Sequence, residues 1–346
     1  FKSAPKAHLP KAEIKNGWAL NKDFRMDLDG DAPNANLLGD RQMLFLDTWA
    51  SDWGYQSEMK MLLSQTIFAN VATLPAKELS GSVISKLKIM REGEYPPNDR
   101  PVADLDSNGW PQSGRNSAVE TIRKGFAFHL AGDQHLGSTV QYGVDVWNDS
   151  GYALCVPSIS NYWPRRWYPA EEGGNRNPEK PKYTGEYKDG FGNKMTVHAA
   201  SNPTFTGKTP SRLYDRATGY GIVRMNKVER EITLECWPRM AKPELGNQEQ
   251  YNGWPIKIAQ SDNYGRKAKA FLPEITITGL ENPVIEVINE KTNELEYSLR
   301  INTNKYQAKV YDEKAKYTVR IGEPDTNIWK LKKNISPSSG TLKFEF

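Results

Sequence analysis

From residue 219 onward, apolar and polar side chains largely alternate in short runs broken by turn residues, and that spacing constrains the chain to sheet. The stretch GYGIVRMNKVEREITLECWPR predicts a hairpin, with Ile222 and Arg224 set against Ile232, Leu234 and Cys236 and a turn between Asn226 and Arg230. Further on, EITITGL, PVIEVIN, LEYSLRI, YQAKVYD and YTVRIG recur at close intervals, separated by turn signals such as Glu-Asn-Pro and Pro-Asp-Thr. Such a series reads as a small all-β sandwich over residues 244–346, with a boundary inside KPELGNQEQ.

Upstream the periodicity changes. Leu46, Trp49, Ala50 and Trp53 fall at i, i+3, i+4 and i+7, which predicts a helix with one apolar face and Asp40 as its N-cap. The apolar run MLLSQTIFANVA, residues 61–72, has the composition of a strand buried on both faces. A second, short helix is expected from Asn116 or Ser117 to Gly125, where glycine would supply a left-handed C-cap. FAFHLA follows at once as a strand, with Phe126, Phe128 and Leu130 on one face and Ala127, His129 and Ala131 on the other. TVQYGVDV and GYALCVPSIS read as the next strands, and residues 170–212 as polar surface loops. Helix followed by buried strand makes residues 37–243 a layered α/β body, preceded by an extended strap, residues 1–36, anchored by Trp18 and Phe24.

Bulk properties exclude several classes. At 38% hydrophobic and 11% aromatic residues the chain is too rich in core formers to be disordered. Its 46 Lys and Arg are interspersed with 42 Asp and Glu, so the basic stripe of a nucleic-acid binder is missing. No apolar run is long enough to span a membrane. Cys155 and Cys236 lack Cys-x-x-Cys spacing, which argues against a zinc ribbon or redox motif and leaves either one disulfide or two buried thiols. Gly-x-Ser-x-Gly, Walker A and dinucleotide fingerprints are all absent.

What chemistry remains centres on FAFHLAGDQHLGS. In an extended backbone Asp133 and His135 project to the same side while Gln134 points away, and a carboxylate with an imidazole suits a transition metal. The same residues also read as a polar turn at a strand end. His129 lies upstream on the strand, in the position of a buried residue that orients the ligands. In NYWPRRWYP, Arg165 and Arg166 present planar forks suited to phosphate, or else form a cation-π cluster with Trp163, Trp167 and Tyr168. DLDSNGWPQSGR offers Asn108 and Arg115 as substrate contacts, or is simply a turned loop. Asp27, Asp29 and Asp31 resemble part of a calcium loop, but Leu38 stands where an EF-hand needs its twelfth-position Glu.

In order along the chain, LLGDRQMLFLDTWASDW, MLLSQTIFANVA, DSNGWPQSGRN, FAFHLAGDQHLGS, VPSISNYWPRRWYP and DRATGYGIVRMNKVEREITLECWPR resemble the PhoD-like alkaline phosphatases, the alkaline phosphatase D branch of the metallophosphoesterases. The resemblance covers about residues 1–240. It implies the C-terminal half of a layered β-sandwich flanked by helices, and an exported, periplasmic or extracellular hydrolase of phosphate esters. It also implies an iron and calcium site, with zinc or manganese as alternatives, in which a metal-activated hydroxide attacks phosphorus. Its Gly-Asp-x-His motif maps onto Asp133 and His135 as ligands. The family's earlier metal motifs have no counterpart, since neither Gly-Asn-His nor Asp-Asp-His occurs in the 346 residues. The expected partners are therefore a phosphate-ester substrate and an N-terminal half that completes the site. The competing expectation is an exported binding or structural protein that keeps the scaffold without the chemistry, with sugar stacking on Trp254 and Tyr264 a weaker third.

Overall fold

The computed structural model describes residues 4–246 and 249–346, so residues 1–3 of the expected strap and 247–248 of the expected boundary lie outside it. The architecture is mixed α/β, dominated by strands, with few helices and several sheets. At its centre is a six-stranded mixed sheet built from β1 (Met61–Leu63), β2 (Phe128–Ala131), β3 (Ser138–Tyr142), β4 (Tyr152–Cys155), β5 (Gly185–Lys188) and β6 (Lys194–Ala200). Strand order is β1-β2-β4-β3-β6-β5; the β1-β2-β4 half is parallel and the rest antiparallel.

Alternation along β2 divides the core as the sequence predicts. Phe128 and Leu130 pack with Leu154, Leu234 and Trp254, whereas Ala127 and Ala131 pack with Val119, Ile122 and Leu46. The second face is covered by helices α1 (Asp40–Ser51) and α2 (Gln112–Lys124). The first is covered by an antiparallel sheet of β7 (Gly219–Asn226), β8 (Glu231–Pro238) and β9 (Ile256–Ala259). The expected β7–β8 hairpin is present, but its register differs by one residue: Ile222 and Arg224 lie opposite Glu235 and Thr233, whereas Ile232, Leu234 and Cys236 lie opposite Met225, Val223 and Gly221. Because β9 still pairs with β8, this body continues past residue 243.

Beyond it, a sheet of β11 (Val284–Asn289), β12 (Glu294–Arg300), β13 (Tyr317–Glu323) and β14 (Ile328–Ile335) faces a smaller one. The smaller one joins β10 (Glu274–Thr278) to Lys305–Tyr306 and, in parallel, to β15 (Thr341–Glu345). One apolar core fills the space between them, and it also takes in Trp53 and Phe126 from the first body.

Several local expectations are corrected. Only Met61–Leu63 of the 61–72 run is strand; Thr66 to Ala72 is buried loop whose backbone is satisfied by side chains, Phe68 N by the Tyr142 hydroxyl, Asn70 N by Asp189 and Val71 N by Gln134. Gly39, not Asp40, is the N-cap of α1, its N–H satisfied by the Gln42 side chain at 3.0 Å. Helix α2 begins at Gln112, four residues before Asn116, and Gly125 at its end has φ −99°, outside the left-handed region. Phe126 takes that conformation instead, at φ 52°, and turns into the sandwich core rather than sharing a face with Phe128. The 170–212 segment is not all loop, since it supplies β5 and β6. Among the described residues no helix is long and apolar enough to cross a membrane.

Candidate functional site

The three parallel strands end on one side, and the Gly-Asp-Gln-His segment leaves β2 there, as does Ser64–Gln65–Thr66 from β1. Open α/β sheets collect ligand-binding loops at this edge because consecutive strands deliver their loops side by side. The two loops are tied together: Gly132 N donates to the Gln65 carbonyl at 3.0 Å, and Gln65 Nε2 donates to Asp133 Oδ2 at 2.7 Å.

Gln134 does point away from its neighbours, as expected. It is buried, accepting from Val71 N at 3.1 Å and donating to the Ala69 carbonyl at 2.6 Å, so it anchors the segment to the loop behind. The backbone around it is not extended, however. Asp133 has φ 59° and His135 φ 62°, both left-handed, so the shared direction expected from an extended i, i+2 pair does not apply. Left-handed backbone in two non-glycine residues costs about 1 kcal/mol or more each, and the Gln134 anchor offsets that cost.

Asn161 sets the state of His135. Its Nδ2 donates to the carbonyls of His135 at 3.1 Å and Arg216 at 2.7 Å, which orients the amide so that Oδ1 faces the imidazole. His135 Nδ1 lies 3.1 Å from that oxygen and must be the donor. In the neutral ring the proton is therefore on Nδ1, and Nε2 carries the lone pair. Asp133 is exposed and His135 half-buried, so both remain open to solvent.

His129 is fully buried beneath the same edge, with Nε2 2.7 Å from Ser64 Oγ and Nδ1 2.8 Å from the Tyr142 hydroxyl. Ser64 Oγ also donates to the Thr66 carbonyl at 2.6 Å, while Tyr142 Oη accepts from Phe68 N at 2.9 Å. One arrangement satisfies every proton: Tyr142 donates to Nδ1, and Nε2–H donates to Ser64. Burial pushes the imidazole down to about 3, so it stays neutral. It contacts neither Asp133 nor His135 by any hydrogen bond found among the described residues, and orients the Ser64 loop rather than the two ligand-type side chains.

The expected phosphate contacts sit elsewhere. Arg165 is ion-paired with Asp104 and donates to Asn70 Oδ1 at 3.2 Å, and Arg166 holds Asp99 in a two-pronged pair at 2.8 and 2.9 Å. At 9% and 6% exposure, both forks are occupied by buried carboxylates rather than by a ligand or the neighbouring rings. Arg115 is completely buried, donating to the carbonyls of Phe68 at 2.8 Å and Gly143 at 2.6 Å, which excludes it from solvent-borne substrate. Asn108 is nearer the edge, with its N–H on Thr66 Oγ1 at 2.8 Å and its Nδ2 on the Thr66 carbonyl at 2.9 Å.

The remaining candidates disperse. Asp27 pairs with Arg25, Asp29 accepts from Arg25 N and Asp31 accepts from Ser113, so the three do not converge as a calcium loop. His198 lies on β6, with burial holding it down at about 4. Trp254 and Tyr264 are 8% and 4% exposed, the first with Nε1 on Thr139 Oγ1 and the second stacked on Tyr311, so neither offers a face to a sugar. Cys155 and Cys236 are free and buried, and burial pushes the Cys155 thiol up to about 12. Among the described residues no group of three His, Cys, Asp or Glu side chains is disposed to hold a metal.

Sequence reasoning missed Gln65 and Asn161, which lie 68 and 26 residues from the groups they hold and carry no local pattern. No family model matches the chain, and neither does any curated protein or solved structure.

Proposed function

We propose that the chain supplies part of the site of a metal-dependent phosphoric-ester hydrolase, with the Asp133 carboxylate and His135 Nε2 as two of its ligands. The observation that carries this reading is the Asn161 bridge, which keeps the neutral His135 in the one tautomer whose Nε2 accepts a metal. The donor set fits an N/O-preferring transition metal. A metal held there supplies Lewis acidity and lowers the pKa of coordinated water. Two protein ligands fall short of the three that catalytic sites commonly use, and the described residues hold no third. Further ligands from another segment or chain are therefore part of the proposal, as is export from the cytoplasm. Gln65 holds one oxygen of Asp133, and Gln134 fixes the backbone between the two ligands.

The incomplete ligand set is also the observation favouring the second reading, a binding or structural protein built on this scaffold. Expression of the complete gene product, with metal analysis and hydrolysis of p-nitrophenyl phosphate and its bis ester, separates the two. Asp133→Ala and His135→Ala should each abolish tight metal retention, and Asn161→Ala should weaken metal affinity by about 10- to 100-fold while the fold persists. Complete protein that retains no metal and turns over neither ester overturns the hydrolase reading in favour of the second.

A further inference from the structure

The strap and the body enclose a cleft of about 960 Å³, on which Lys22, Arg25, Lys77, Arg100 and Lys188 converge. Trp18 and Phe24 contribute aromatic surface to its lining. Across the whole chain, 46 basic residues nearly balance 42 acidic ones, so this concentration of one sign is local.

Two carboxylates line the same cleft and offset part of its charge, Asp27 acting also on Lys188 and Arg100, which leaves five cations against two anions. Asp27 is held by Arg25 at 2.5 and 2.8 Å, which accounts for one pair. Asp189 faces inward, accepting from the backbone N–H groups of Asn70, Phe191 and Asn193 at 2.9 to 3.0 Å and from Asn193 Nδ2 at 3.0 Å. Asp23 and Glu78, adjacent in sequence to Lys22 and Lys77, do not line the cleft. Lys22, Lys77, Arg100 and Lys188 form no ion pair found among the described residues. Arg100 is also preorganised: Nε donates to the Ala76 carbonyl at 3.3 Å and Nη2 to the Glu78 carbonyl at 3.2 Å, which fixes the guanidinium without neutralising it.

We infer that this cleft binds a small oligoanion, a di- or triphosphate-type ligand whose separate anionic groups engage Arg100 and the three lysines. The volume is in the range of pockets for whole organic ligands and exceeds what a single orthophosphate fills. Four cations on different segments require charge at more than one place on the ligand. The site is independent of the Asp133 and His135 proposal, because it shares no residue with it.

Calorimetric titration of the complete protein at low ionic strength with tripolyphosphate, pyrophosphate, citrate and orthophosphate tests the inference. Tripolyphosphate should bind at least about tenfold more tightly than orthophosphate, and added salt should weaken it. Lys77→Gln and Lys188→Gln, both at exposed positions, should each weaken it by about threefold without moving the thermal midpoint. Lys343→Gln, an exposed lysine on the sandwich, should leave it unchanged. Absence of binding by any oligoanion, indifference to both cleft variants, or an equal loss with Lys343→Gln would each overturn the inference.

Discussion

His129 illustrates how one buried side chain couples the candidate edge to the stability of the whole protein. Desolvation lowers its pKa from 6.5 to about 3, so the native protein keeps it neutral while the unfolded chain takes up a proton below pH 6.5. The unfolded state then binds more protons, and stability falls as pH drops from 6.5 toward 3 and levels off below that. The full shift is worth on the order of several kcal/mol, since each pKa unit corresponds to about 1.4 kcal/mol. His129→Leu should therefore be less stable at pH 7, having stranded Ser64 and Tyr142, yet lose less further stability between pH 7 and pH 4 than the parent in urea denaturation. Parallel pH profiles for the two proteins would refute the assignment. The position of Gly-Asp-Gln-His at the end of β2 was legible because strand alternation runs directly into it. The destinations of Arg165 and Arg166 were not, since a guanidinium beside aromatic residues looks the same whether its partner is phosphate or a carboxylate 61 or 67 positions away.

Between elements, the decisive contact is backbone against backbone. Gly125 ends α2 where a Cβ would collide with the Ala50 carbonyl of α1, so the missing side chain lets the two helices meet. Its φ of −99° is open to alanine, which separates packing from backbone strain. Gly125→Ala should cost about 1–3 kcal/mol, the usual range for overpacking. Gly93→Ala, at φ 77° with no atom in the way of its Cβ, should cost only the left-handed penalty, on the order of 1 kcal/mol. Thermal melts of the two variants compare them directly, and an unaffected Gly125→Ala protein would show that the helices can separate freely. The apolar face of α1 and the Gly125 terminus of α2 were readable from the sequence, but the reason for that glycine lies in the other helix. Strands β5 and β6 escaped detection because GEYK and KMTVHAA sit among Gly, Asn, Pro and Lys; β6 is held in the sheet by β3, and β5 by β6.

At the scale of the molecule, the sandwich was legible as a series of alternating runs, whereas its union with the first body was not. Arg300 of β12 makes that union. It donates to the carbonyls of Trp53 at 2.7 Å and Ser57 at 2.8 Å, while gripping Glu323 at 2.6 and 3.0 Å. Asp325 adds to the clasp by accepting from Tyr55 N at 2.6 Å and Gln56 N at 2.8 Å. Trp53 and Phe126 carry the joint into the sandwich core, where Phe126 meets Tyr297 edge-on. The arginine clasp and the shared rings each oppose separate unfolding of the two bodies, since parting them leaves polar groups unpaired and rings exposed. Removing the guanidinium leaves Glu323 without its arginine and strands the carbonyls of Trp53, Ser57 and Asn282, a loss of about 3 kcal/mol, the low end of the range for a buried pair broken on one side because Glu323 is only partly buried. Arg300→Met should show that loss in urea denaturation, with tryptophan fluorescence and far-ultraviolet dichroism ceasing to coincide as the sandwich and the first body unfold separately. Retention of a single coincident transition within about 1 kcal/mol of the parent would mean that the shared apolar core, not the arginine clasp, holds the bodies together.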